Sequence, residues 1–325
     1  MLARRLSVLT LIAAFVLSLT PASSSAAADL PIVRVAKSQA VGINFMPLEL
    51  GDAAGIWQQV GIKLEISVLR GDAQVQQAMT SGDIDIGLGS GPGLGFISKG
   101  VPAIGIGVLT GAPNGMGLAM GTKSTVKTAA DLKGLRIGIT SAGSLTDWLV
   151  RQLAIQQGWD PSAITTVSLG DSKTQYAALA TGQVDGICTG SEFVYDLADH
   201  NQAKALLTFG PVVPQFLTNV ITARDDFMTQ HPDLVQKFLL GWYRAVAYEK
   251  THKAQTLALA VKAEGLGEHA LSETYDATMP IMSSDGAFAP AAVERLGKAF
   301  VELGILPQVP DMTKLITRRF VPVKT

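Results

Sequence analysis

Cysteine is almost missing from this 325-residue chain: Cys188 is the only one. A single cysteine excludes an intramolecular disulfide and any cysteine-cluster metal site. It also leaves no thiol at a leader-cleavage point to carry a lipid. Cys188 falls on the apolar side of an expected strand, where a cysteine acts as a small buried hydrophobe. Histidine is scarce as well. His200, His231, His252 and His269 fall in expected helices or at their ends, and none is spaced for metal ligation. Neither a Cys–His pair nor a nucleophile elbow can be found, so no catalytic residue, no metal and no cofactor is expected. Aromatic residues make up only 6% of the chain, which argues against a sugar site built from stacked rings. Twelve of the 33 glycines lie between Gly87 and Gly121, yet no G-x-G-x-x-G register fits there and Gly-Lys-Ser/Thr occurs nowhere. Those gaps exclude a dinucleotide or Walker-type phosphate site. A basic excess is missing too: the formal net charge is −1, and −3 without residues 1–28, so nucleic acid and anionic membranes are not expected partners.

Among what is present, the first 28 residues stand apart. Arg4 and Arg5 form a positive start, Leu6 to Leu19 is apolar, and Ala26-Ala27-Ala28 supplies a small-residue cleavage pattern before Asp29. This order predicts a cleavable signal peptide over residues 1–28. The apolar stretch from Val101 to Leu118 is broken by Pro102, Pro113 and many glycines, which does not suit a membrane span. The mature chain is therefore expected to be exported, not lipid-anchored and periplasmic. Its length suggests two domains.

The chain also repeats itself across about one hundred residues. Gln77-Ala78-Met79-Thr80-Ser81-Gly82-Asp83-Ile84-Asp85 returns as Ala177-Ala178-Leu179-Ala180-Thr181-Gly182-Gln183-Val184-Asp185, and Leu69-Arg70-Gly71-Asp72 is echoed by Ser168-Leu169-Gly170-Asp171. A two-copy repeat of this period is too long for a solenoid and fits two similar α/β lobes. In the first lobe the pattern predicts strands over 32–36, 62–69 and 84–88 with a helix over 72–80. The second has strands over 135–139, 166–169 and 184–188 with a helix after Asp171. Crossings between lobes are expected at 110–118 and 211–219, followed by a strand over 219–223. Pro232 suits the first position of a helix whose Val235, Phe238, Leu239, Trp242, Ala245 and Val246 form an apolar stripe. Lobe 1 would then hold residues 29–114 with 220–325, and lobe 2 residues 115–219.

Two loops are candidate ligand sites. Gly89-Ser90-Gly91 and Thr140-Ser141-Ala142-Gly143-Ser144 each follow an expected strand and open a helix, the position where open α/β sheets bind ligands. Free N–H groups and small hydroxyls there would cradle an anion, while Ser90 and Ser144 are also natural helix caps. Asp85 and Asp185 fall at the starts of their strands, away from that edge, and are expected to fix the helix-to-strand turn by local hydrogen bonds.

Ser38-Gln39, Ala54-Gly55-Ile56-Trp57, Ser81-Gly82-Asp83-Ile84-Asp85, the run Ala130 to Gly138, Thr181-Gly182-Gln183-Val184-Asp185 and His231-Pro232-Asp233-Leu234-Val235 occur in this order and spacing. With these segments the chain resembles the substrate-binding proteins of ABC importers for nitrate, sulfonate and taurine, a group that includes thiamine-precursor binders. The resemblance implies an α/β, two-lobed periplasmic-binding-protein fold of type II. Each lobe would be a mainly parallel sheet flanked by helices, with a hinged cleft between them. It further implies a monomer that captures a small, anionic organic solute and hands it to membrane permease subunits. Ligand contacts would come from Ser38, Gln39, Asn44, Phe45, Ser90, Gly91, Thr110, Thr140, Ser141, Gly143, Ser144, Ser191, Glu192 and Phe193. The loop Thr189-Gly190-Ser191-Glu192-Phe193 lacks the tryptophan and proline common in relatives, and Glu192 would disfavour a simple anion or receive an amino group. The same fold would also suit an exported lyase or pyrimidine-synthesis enzyme, or a periplasmic sensor.

Overall fold

The computed structural model of the protein describes residues 30–40 and 42–325; the expected signal peptide, 1–28, lies outside the described residues. The chain begins with β1 (Ile32–Lys37), α1 (Pro47–Ala53), α2 (Ile56–Gln59), β2 (Lys63–Val68), α3 (Asp72–Ser81), β3 (Ile86–Ser90) and β4 (Ala103–Thr110). It continues through β5 (Met116–Gly121), β6 (Arg136–Ile139), α4 (Leu145–Gln156), β7 (Thr165–Ser168), α5 (Ser172–Ala180), β8 (Gly186–Gly190), α6 (Ser191–Asp199) and β9 (Ala203–Thr208). The remainder is β10 (Asn219–Arg224), α7 (Asp225–Gln230), α8 (Pro232–Thr251), α9 (Lys253–Glu264), α10 (Glu268–Thr278) and α11 (Pro290–Glu302).

The strands form two sheets of the same design, ordered β2-β1-β3-β10-β4 and β7-β6-β8-β5-β9. In each, four strands run one way and one runs against them, β10 in the first sheet and β5 in the second. The opposed strand is in each case the one that enters after the chain crosses over, so both sheets are mainly parallel with one antiparallel insertion. The first crossing is only residues 111–115, shorter than expected, because Met116 to Gly121 is a strand. Glycines obscured β4 and β5 in the sequence; their reason is close packing. At Gly107 a Cβ would stand 2.7 Å from the Tyr243 hydroxyl, which donates to the Val108 carbonyl at 2.9 Å and fixes α8 on β4. The stripe on α8 is buried as expected, with Phe238 stacked on Trp57 at 5.6 Å.

The repeated aspartates carry matching networks. Asp85 accepts from the Arg34 amide at 2.9 Å and from its Nε at 3.1 Å, while Arg34 Nη1 donates to the Gly82 carbonyl. Asp185 does the same with Arg136, at 2.8 and 3.2 Å, and Arg136 donates to the Gly182 carbonyl. Both are scaffolding, but the bonds reach across to the neighbouring strand rather than along a local turn. The copies differ in burial: the Asp85 side chain is 5% exposed and that of Asp185 is 33%. Asp85→Ala should therefore cost about 2–3 kcal/mol, since it strands buried donors, and Asp185→Ala about 1 kcal/mol or less. Urea unfolding of the two variants measures the difference; equal losses would mean that burial does not set the strength of these networks.

The C-terminal helices serve both sheets. Helix α10 packs on α6, where the hydroxyls of Thr274 and Ser191 meet at 2.9 Å. Helix α11 meets α4 through Glu302, which accepts from Trp148 Nε1 at 2.9 Å and from Gln152 Nε2 at 2.8 Å. Assigning all of 220–325 to one lobe thus misses their bridging contacts. The periodicity of a helix reports that one of its faces is covered, not which sheet covers it.

Candidate functional site

Both sheets point the carboxyl ends of their parallel strands at each other. Ser38 follows β1, Gly71 follows β2, Ser90 ends β3 and Thr110 ends β4; opposite them, Thr140 follows β6, Gly170 follows β7 and Glu192 follows β8. The space between is a cleft lined from both sides. Its larger cavity, about 480 Å³, is bounded by Ser38, Gln39, Arg70, Thr140, Asp171, Phe193, Glu264 and neighbouring side chains. A narrower region, where Ser38, Gln39, Thr140 and Thr146 meet Asp72 and Ser90, leads to a small pocket at the chain crossings. Asn44, Thr110, Glu192, Thr218, Asn219, Thr274 and Thr278 line that pocket. The echoed loops face each other here: Arg70 Nε lies 3.4 Å from Asp171 Oδ2.

Of the site residues expected from the sequence, Ser38, Gln39, Asn44, Ser90, Thr110, Thr140, Glu192 and Phe193 line this cleft. The others are not among its walls, although Ser141 and Ser191 lie against residues that are. Phe45 is buried in the core. Gly91 lets the chain pass against the Leu217 carbonyl, which any Cβ would overlap. Ser141 is beside Gly71 with its hydroxyl buried and unpartnered. Gly143 donates its amide to Asp147 at 2.9 Å, Ser144 is buried, and Ser191 is turned to Thr274.

The anion cradle expected in the first loop already holds the chain's own carboxylate. Asp72 accepts from the Ser90 amide at 2.8 Å and from its hydroxyl at 2.5 Å. Ser90 and Gly89 are part of β3, because β10, distant in sequence, extends the ladder to Asn219 opposite Ser90. The Ser90 hydroxyl also accepts from the Gly93 amide at 3.1 Å, so Ser90 does cap the turn that follows. Ser144 makes no side-chain cap bond on α4. Its hydroxyl instead joins those of Thr140 and Thr146 in a triangle of 2.9 Å contacts. Burial pushes the Asp72 carboxyl above its usual value against the two Ser90 hydrogen bonds.

Carboxyl groups dominate the deep end. Glu192 folds back over Gly190, and burial with the nearby Glu264 pushes it up to about 8. Glu264 accepts from the Gly42 amide at 3.0 Å, and burial raises it to about 7. Asn219 is the hub of the pocket: its Oδ1 accepts from Asn44 Nδ2 at 3.1 Å and Thr110 Oγ1 at 2.9 Å. Asn219, Thr218, Thr274, Thr278 and Glu264 were not among the expected site residues. The only sequence signal for any of them was that Thr218 and Asn219 fall at the return crossing. Among the described residues no group of three or more His, Cys, Asp or Glu side chains is gathered as metal ligands would be.

Two α/β lobes with one insertion strand each and a polar cleft at their strand ends define the periplasmic-binding-protein fold. The solved alkanesulfonate-binding protein SsuA of Xanthomonas axonopodis pv. citri, bound to MOPS, has this architecture. It superposes with a TM-score of 0.76 at 19% identity, over 89% of this chain and 98% of that one. The chain belongs to the family described as NMT1/THI5 like, which it matches over residues 42–255. It is 24% identical over 245 residues to a chain of Escherichia coli (strain K12) named as an aliphatic sulfonates-binding protein, covering 75% of this chain and 76% of that one. It is also 24% identical over 118 residues to the nitrate/nitrite binding protein NrtA of Nostoc sp., a stretch that spans 36% of this chain and 27% of the relative.

Proposed function

We propose that the protein is the solute-binding component of an ABC importer. In this reading it is exported to the periplasm, closes on a small organic solute as a monomer, and delivers it to the membrane permease subunits. The observation that carries the reading is the cleft itself, lined from both sheets at their strand ends and divided by two short crossings on which the lobes can hinge. Residues 29–114 with 220–325 form the first lobe and 115–219 the second, with α10 and α11 spanning the pair. Ser38, Gln39, Thr140 and Phe193 are the proposed contacts in the outer cleft. The relatives' names suggest oxyanions and sulfonates as the starting classes for a ligand search. Catalysis through a cysteine nucleophile is disfavoured, because the lone thiol, Cys188, is buried and held well above its usual range by that burial.

The test is thermal-shift screening of the purified protein with nitrate, alkanesulfonates, carboxylates and organic amines, with X-ray scattering on each hit. A ligand at a hundredfold excess over Kd should stabilise by about 2.7 kcal/mol and compact the protein. A stabilising ligand that leaves the scattering unchanged argues against hinge closure, and one recovered chemically altered overturns simple capture.

A further inference from the structure

The geometry points to a protonated amine, an ammonium group, as the part of the ligand that occupies the deep pocket at the chain crossings. This assignment rests on the capture reading and narrows it to a chemical class.

Size is the first argument. The pocket offers about 10 Å³ to the centre of a water-sized sphere, room for about one such sphere. An ammonium head fits that volume, whereas a sulfonate with three oxygens around sulfur does not. The second argument is the lining. Among the described residues the pocket is walled by no lysine, arginine or histidine, and its one ionisable wall is Glu192, 2% exposed. Lys37, whose charge acts on Glu264, and Lys250, whose charge acts on Glu249, are already committed. Lys37 Nζ is bound to Glu49 at 2.7 Å, and Lys250 Nζ to the Met282 carbonyl at 2.7 Å.

The third argument is independent of charge. Thr218 and Thr278 line the same pocket at 3% and 2% exposure, and the Oγ1 atoms of both are buried without a partner among the described residues. Buried hydroxyls left unpaired are costly, so a guest that completes them is favoured. An ammonium carries three N–H donors and no acceptor, which the ionised Glu192 carboxylate and the two hydroxyl oxygens can accept; a hydroxyl also donates, so the two threonines call for a polar guest and the carboxylate selects the cation. Glu192 and Glu264 are raised to about 8 and about 7, so an anion in the same place is accommodated only while both hold their protons and is repelled as pH rises through that range, where an ammonium is favoured.

Calorimetric titration at about pH 8 with propylammonium, acetamidinium, propane-1-sulfonate and nitrate decides the matter. Expected is saturable binding of propylammonium, with acetamidinium, a cation whose planar head exceeds the pocket, binding more weakly. Glu192→Gln, which keeps shape and removes charge, should weaken it at least tenfold, in line with the greater strength of charged hydrogen bonds. Thr278→Val should weaken it by a smaller factor. Circular dichroism and urea melts establish that both variants fold. Binding of propane-1-sulfonate or nitrate without either cation overturns the amine assignment and leaves capture standing. Amine binding unchanged in both variants also overturns the assignment, since the pocket would then hold only water. No binding by any of the four probes overturns it too; capture itself falls only if the wider thermal-shift screen is also silent.

Discussion

Trp148→Ala should lower the stability of the protein by about 5 kcal/mol, the upper end for removing a buried aromatic. The ring is fully buried and lies flat on Phe216, with centroids 4.1 Å apart and planes 9° from parallel. Its Nε1 donates to Glu302 at 2.9 Å, and the Arg295 guanidinium is 4.8 Å from the ring centre while holding the same glutamate. The cluster joins three places: α4, which carries Trp148, the return crossing with Phe216, and α11 with Arg295 and Glu302. Deletion would leave a large void and unpair one oxygen contact of Glu302 at the point where the lobes are tied. Trp148→Phe keeps the stack and loses the donor, so it should cost about 1 kcal/mol. Urea unfolding of both variants is the measurement. A loss below about 2 kcal/mol for Trp148→Ala would mean that this cluster does not hold α11 to α4.

The second large effect is on pH. The ligand-free protein should lose stability on the order of 6 kcal/mol between pH 5 and pH 8.5, since a tenfold difference in proton affinity between folded and unfolded states is worth about 1.4 kcal/mol. The sign follows from burial. Glu192 and Glu264 are raised to about 8 and about 7 in the fold, whereas an unfolded glutamate titrates near about 4.3. Across that window the folded state holds protons that the unfolded chain has released, so stability is full in acid and falls as pH rises. Glu249 acts in the same direction: burial holds it well above its usual value, Lys250 opposes this, and Glu49 and Glu264 add to it. The lowered aspartates, such as Asp131 and Asp160, complete their titration below this window. Glu192→Gln should flatten much of the slope, and a wild-type profile already flat from pH 5 to 8.5 would refute the assignment. Affinity for an ammonium probe should move oppositely, rising with pH as Glu192 ionises, while Glu264, Lys37 and Glu49 set the field around it.

The same residues separate what was legible in advance from what was not. The repeat around Gly82-Asp83-Ile84-Asp85 and Gly182-Gln183-Val184-Asp185 announced two like lobes, because turn glycines and strand-entry aspartates are local requirements that leave local marks. Hydrophobic periodicity placed α3, α8 and the parallel strands for the same reason. It missed β4 and β5, whose glycines answer to Tyr243 and to neighbouring strands far along the chain. Part of the cleft was equally readable, since Ser38, Gln39, Ser90 and Thr140 follow strands that the pattern predicts, whereas Thr110 ends the unread β4 and came only with the resemblance.

The α/β class, the doubled lobe and the edge of each sheet that lines the cleft could be read from the chain alone. All three follow from patterns within one or two elements. Only the tertiary structure decided the character of the site. It filled the first anion cradle with Asp72, bound the Ser191 hydroxyl to Thr274 of the pocket wall, and brought Glu192, Glu264, Thr218 and Thr278 together from segments up to 86 residues apart. Burial and juxtaposition set the charge state of a carboxyl group and the partners of a hydroxyl, and neither is written in the spacing of a chain.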